Sequence, residues 1–101
     1  MLPRRLGRYE LLRVLGTGGM ATVYLGRVVG PGGFERLVAI KMIHEQWAQD
    51  PSSVAMFLDE ARLAASVRHP NVVQVHEVGF EAGRYFIAMD YVAGAGLARV
   101  L

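Results

Sequence analysis

Residues 15–41 constrain this chain more than any other stretch. They open L-G-T-G-G-M-A-T-V-Y-L-G and close V-A-I-K. Gly16, Gly18 and Gly19 carry no Cβ, so the backbone can turn tightly there and bring N–H groups close to an anion. The residues after the glycines select among the known glycine-loop geometries. Thr22, Val23, Tyr24 and Leu25 are rich in β-branched and aromatic character and predict a strand. A dinucleotide fingerprint needs a helix at that point, so a Rossmann-type oxidoreductase would show one directly after Gly19. A Walker A loop needs G-x-x-x-x-G-K-[ST], and no Lys follows these glycines at that distance. Strand, glycine loop, strand is the geometry left: a hairpin whose tip can fold over a ligand. Val38, Ala39 and Ile40 predict a further strand, and Lys41 places a cation on it.

The rest of the chain supplies the setting. Residues 1–7 read as a frayed basic lead-in. Strands are predicted over 9–15, 22–29 and 36–43, with 30–33 a loop by its Gly-Pro-Gly-Gly composition. The period of two on the third strand sets Val38 and Ile40 on one face and Ala39, Lys41 and Ile43 on the other. Residues 44–49 form a connector. Asp50, Pro51 and Ser52 start a helix, with a capping side chain and Pro in the first turn. That helix is expected to run to about Arg68, where His69-Pro70-Asn71 stops it. Phe57, Ala61 and Ala64 form an apolar stripe, with Glu60 on the same face. A carboxylate on a buried stripe needs a partner, and Lys41 is the natural one. Asp59 points to a different face, beside Arg62. Strands are predicted again over 72–78 and 85–91, with 79–83 the turn between them. Trp47 and Phe34 read as packing residues or loop anchors. His44, His69 and His76 do not have metal-cluster spacing.

Charge and composition narrow the partners. Eleven basic against nine acidic residues give +2, a mixed surface and no nucleic-acid footprint. Cysteine is absent, so no disulfide frame or thiolate metal site exists, in keeping with a cytoplasmic setting. No apolar run approaches the ~20 residues of a membrane span. Yet 52% of the residues are hydrophobic and 12 more are glycine, a surplus for so small a domain. That surplus predicts a face meant for something beyond this chain.

The two anchor motifs resemble the glycine-rich loop, G-x-G-x-x-G-x-V, and the V-A-I-K lysine of protein kinases. Gly16, Gly18 and Val23 fall in place, and Ala21 stands where the third Gly is expected. The wording G-T-G-G-M-A-T-V-Y-L-G is similar to bacterial kinases of the eukaryotic-like Ser/Thr class. F-L-D-E-A-R with H-P-N after it resembles that family's helix αC, and Asp90-Tyr91-Val92 resembles its hinge. The implied fold is α+β: a kinase N-lobe with a five-stranded antiparallel sheet packed on one main helix. It would span residues 8–92, with 93–101 leaving the hinge towards a C-lobe that is not in this sequence.

The resemblance also implies roles. ATP would be the ligand and a Ser/Thr-bearing protein the substrate. Leu15, Gly16, Thr17, Gly18, Gly19, Met20, Ala21 and Val23 would line the nucleotide from the loop side. Lys41 would bind the α- and β-phosphates, and Glu60 would hold Lys41. Ala39 would contact adenine, Met89 would gate the back of the pocket, and the main chain of Asp90 and Val92 would bond the adenine edge. The motifs H-R-D-x-x-x-x-N, D-F-G and A-P-E do not occur in these residues. Mg²⁺ and the proton acceptor would therefore come from outside them. These 101 residues alone are expected to bind ATP weakly and not to transfer phosphate. The alternative reading is a non-catalytic, truncated kinase-like binding module.

Overall fold

The computed structural model describes residues 5–66 and 74–91, the side chains of 64–66 excepted. Six antiparallel strands form one sheet: β1 (Arg5–Leu6), β2 (Tyr9–Thr17), β3 (Ala21–Val29), β4 (Glu35–Ile43), β5 (Val75–Glu81) and β6 (Arg84–Asp90). Their order is β1-β2-β3-β4-β6-β5. Among the described residues, one α-helix, α1 (Pro51–Ser66), lies between β4 and β5 in the chain.

Five strands are expected from the sequence, and the sixth is β1. Arg5 and Leu6 are not frayed; they pair with Glu10 and Tyr9. Burial of Leu6, 2% exposed beside Tyr9 and Leu11, holds them there. Residues 1–4 lie outside the described residues, as do 67–73 and 92–101. The helix end at Arg68, the His69-Pro70-Asn71 stop, the first residues of the strand predicted from Val72, and the hinge exit fall there.

β4 lies between β3 and β6 and divides the apolar residues into two sets. Val38, Ile40 and Met42 join Leu6, Tyr9, Leu11, Phe86 and Ala88 in one cluster. Ala39 and Ile43 join Ala21, Val23, Phe57, Ala61, Ile87 and Met89 in the other, which carries the helix. This is the alternation that the period of two predicts.

The sheet is curled. β2 and β5 are separated by three strands in its order. Even so, the Tyr9 hydroxyl donates to Glu77 Oε2 at 2.6 Å, and the Tyr9 ring meets Phe86 edge-on at 6.0 Å. Burial and the Glu77 carboxylate both raise the Tyr9 phenol above its ordinary pKa, so it remains a donor.

Helix α1 starts as its sequence dictates. Asp50 Oδ2 accepts from the Ser53 backbone N–H at 3.2 Å and the Ser53 hydroxyl at 2.6 Å, satisfying one of the free donors of the first turn. Phe57 and Ala61 of the predicted stripe are buried; the Ala64 side chain is among those excepted.

The β5–β6 turn is tighter than expected. Gly79, Phe80 and Glu81 stay in β5, and Ala82-Gly83 make a two-residue turn with φ of 54° and 79°. Positive φ at both positions matches the twist of a hairpin. Gly79 is needed for another reason: a Cβ there would come within 2.2 Å of Phe86 Cζ. Phe86 is 4% exposed and cannot swing clear. Gly79→Ala is expected to destabilise the fold by about 1–3 kcal/mol through overpacking, read as a lower urea midpoint at unchanged m-value.

Candidate functional site

The β3–β4 register sets Lys41 opposite Val23, and the β4–β6 register sets it opposite Ile87. Its side chain is 5% exposed. The Nζ donates to Glu60 Oε2 at 3.2 Å. So the strand cation and the helix carboxylate meet as predicted, with one difference. Glu60 is not buried; its side chain is 61% exposed, because it stands at the rim of the Phe57–Ala61 stripe. The desolvated partner is the lysine, and Glu60 is its compensation. With one member in solvent, the pair adds only about 0–1 kcal/mol to stability. Asp59 pairs instead with Arg62 at 3.2 Å.

Most of the predicted apolar lining gathers on one side. Ala21, Val23, Ala39 and Met89 belong to the helix-side cluster, and half-buried Leu15 and Met20 pack against it. Ala39 faces Met89 across the β4–β6 pairing. Val23 is 1% and Ala39 0% exposed, so this wall is closed. Asp90 turns the other way. Its carboxylate accepts from Arg36 at 3.1 Å and bonds His76, while its N–H donates to the Gln74 carbonyl at 2.9 Å. Val92 lies outside the described residues.

Gly16 and Thr17 pair with Val23 and Thr22 after a bulge at Val14–Gly16. The Gly18 N–H donates to the Ala21 carbonyl at 2.8 Å and closes the tip. Among the described residues, the glycines with positive φ are Gly7, Gly32, Gly33 and Gly83, so the loop glycines do not adopt unusual dihedrals. A Cβ on Gly19 would meet nothing within 4 Å.

The connector after β4 reaches this tip. The His44 N–H donates to the Met20 carbonyl at 2.7 Å. The Trp47 Nε1–H donates to the Gly19 carbonyl at 3.2 Å. His44 Nε2 lies 2.8 Å from the Thr22 hydroxyl. Trp47 is therefore a loop anchor; the Phe34 side chain is 81% exposed, and Phe34 ties its loop through its carbonyl, which accepts from the Gly30 N–H at 2.7 Å. His44 is a site neighbour that sequence reasoning misses, because a single histidine after a strand carries no periodic or spacing signal.

A sequence model of the family described as "Protein tyrosine and serine/threonine kinase" matches residues 9–101. The chain belongs to the protein kinase family. Among its kinase relatives, the tyrosine-protein kinase MasK of Myxococcus xanthus is 47% identical over 94% of this chain and 15% of its own length. The serine/threonine-protein kinase PrkC of Bacillus subtilis is 43% identical over 90% of this chain and 14% of its own. The solved kinase domain of Mycobacterium tuberculosis PknI superposes with a TM-score of 0.67 at 35% identity, covering 91% of this chain and 37% of that domain. The chain thus spans about one seventh of these curated kinases. Its curled antiparallel sheet with one helix is a kinase N-lobe. Among the described residues, no helix is long and apolar enough to cross a membrane.

Proposed function

We propose that this chain is the ATP-binding lobe of a protein kinase that moves the γ-phosphate to Ser and Thr hydroxyls of proteins. One observation carries the reading: a buried Lys41 amine held at 3.2 Å by Glu60, on the sheet that bears the glycine hairpin. A desolvated ammonium attracts an arriving anion far more strongly than an exposed one. The donor set fits a nucleoside triphosphate: an amine for phosphate oxygens, a bare glycine tip with backbone N–H groups, and an apolar wall for a base. When bound, ATP supplies the transferable phosphoryl group, with Mg²⁺ held by residues outside this chain.

Lys41 neutralises the α- and β-phosphate oxygens, and Glu60 fixes where its amine stands. Gly16, Gly18 and Gly19 keep the tip free of side chains, with Thr17, Met20 and Ala21 completing its backbone. Leu15, Val23 and Ala39 form the wall for the base, and Met89 closes its inner end. The Asp90 N–H is already engaged, so its carbonyl is the group left for the base; the Val92 main chain is the second contact.

The test is phosphoamino-acid analysis of the full-length protein after incubation with Mg-ATP. Phosphoserine and phosphothreonine are the expected products. Phosphotyrosine alone would overturn the specificity, and the relative named as a tyrosine-protein kinase, at 47% identity, favours that second reading. No incorporation at all would overturn the enzyme and leave a binding module. Glu60→Gln separates position from stability. The exposed end of the pair predicts a stability change within about 1 kcal/mol. A misplaced amine predicts a 10- to 100-fold loss of kcat/KM, on the order of what a small displacement at a reacting site costs. A variant with full activity would show that Glu60 does not orient Lys41.

A further inference from the structure

Three contacts from the connector between β4 and α1 bear on the glycine tip. The tip itself, Gly18-Gly19, has little to hold it. Glycine loses more freedom on ordering than any other residue, so an untethered tip would have to be ordered by each ligand that binds. The connector does that ordering beforehand. The His44 N–H to the Met20 carbonyl, at 2.7 Å, continues the β3–β4 ladder one step past the Ala21–Ile43 pair. The Trp47 indole N–H takes the Gly19 carbonyl at 3.2 Å, and the Thr22 hydroxyl joins His44 Nε2 at 2.8 Å.

The orientation of these contacts has a chemical consequence. None of the described peptide bonds is cis, and in a trans peptide the C=O and N–H point to opposite sides. Holding the Gly19 and Met20 carbonyls against the connector turns the Met20 and Ala21 N–H groups away from it. It also occupies two carbonyls of the loop, those of Gly19 and Met20, groups that would repel a phosphate. Two acceptors tied to the connector, with the N–H groups that follow them turned from it, favour an anion.

We propose that Trp47 and His44 are positioning residues for the phosphate end of the nucleotide, acting through the backbone of the glycine tip. This role rests on the nucleotide-binding reading of the site. It predicts that the connector affects ligands with phosphates and spares those without.

The experiment compares Mg-ATP and adenosine binding to the full-length protein, wild type against Trp47→Phe, which keeps an aromatic ring and removes the indole N–H. Loss of one hydrogen bond predicts Mg-ATP affinity lower by about three- to tenfold, with adenosine affinity unchanged. A second readout uses the ¹⁹F signal of 5-fluorotryptophan at position 47, assigned by its disappearance in Trp47→Phe. It should shift with Mg-ATP and not with adenosine. Thr22→Val, nearly isosteric, removes the hydroxyl contact to His44 at 2.8 Å together with the longer one to Thr17 at 3.5 Å, and should weaken Mg-ATP in the same sense, so the idea stays testable if Trp47→Phe folds poorly. Equal losses for both ligands would mean a merely structural role and overturn the proposal. So would unchanged or tighter Mg-ATP binding in both variants. A wild type that binds adenosine and Mg-ATP equally weakly would overturn the nucleotide reading itself, and this inference with it.

Discussion

Lys41→Met in the full-length protein is expected to abolish phosphoryl transfer while leaving the fold standing. The two halves of this prediction have separate causes. Lys41 is 5% exposed, and Met has a similar length and no charge, so the substitution fills the same space and removes a desolvated ammonium. The partner left behind, Glu60, is 61% exposed and is solvated by water, so no unpaired buried charge is created. Stability should therefore hold or rise slightly. Transfer is different. On the proposed reading the Lys41 charge acts on the phosphates from a low-dielectric position, and deleting one such stabilising group typically costs on the order of 10²- to 10³-fold in rate. Autophosphorylation measured with labelled ATP, alongside a thermal melt, reads both. Undiminished incorporation would remove Lys41 from the machinery.

Phe57→Ala is expected to produce the largest loss of stability of any substitution on helix α1. Phe57 is 1% exposed and sits in the cluster with Ile43, Ala61 and Ile87. Emptying such a site costs about 3–5 kcal/mol through lost transfer energy and the cavity left. That is a large share of a small domain's total stability, about 5–15 kcal/mol. Its neighbour Met56 is 58% exposed, and Met56→Ala should stay within about 0.5 kcal/mol. A chemical denaturation series on both variants decides the matter. Similar midpoints would mean that α1 is not held by its apolar stripe, and the placement of Glu60 beside Lys41 would need another explanation.

The strongest sequence signals are local and periodic. The alternation from Val38 to Ile43 tells which side Lys41 faces, and the Asp50-Pro51 start locates α1. The pairing of Lys41 with Glu60 is legible because both lie on apolar faces that have to meet. The features that escape prediction depend on contacts between distant residues. Leu6 turns a basic lead-in into a sixth strand because its side chain joins the buried cluster that holds Val38, Ile40, Phe86 and Ala88. Gly79 looks like a turn residue, yet it lies within β5 because the Phe86 ring, seven residues on, occupies the space of its side chain. Glu60 shares a face with Phe57 by count, but its exposure depends on where the rim of the sheet falls. The Arg36–His76–Asp90 group joins three elements at sequence separations that no pattern marks. Polar side chains that meet in this way carry no period.

The alternation along β4 also has a bearing on misassembly. Successive residues there serve different clusters, and Lys41 is flanked by Ile40 and Met42, both of the cluster around Tyr9. A slip of one residue against β3 would carry every side chain to the opposite face. The amine would enter the apolar cluster around Tyr9, where no carboxylate from α1 could follow, while Ile40 or Met42 would take its place. Such a chain would lose its chemistry and its packing in a single step. A population of slipped molecules that stay folded but dead has no room to exist, so the correctness of this lobe's chemistry is inspected by its own folding.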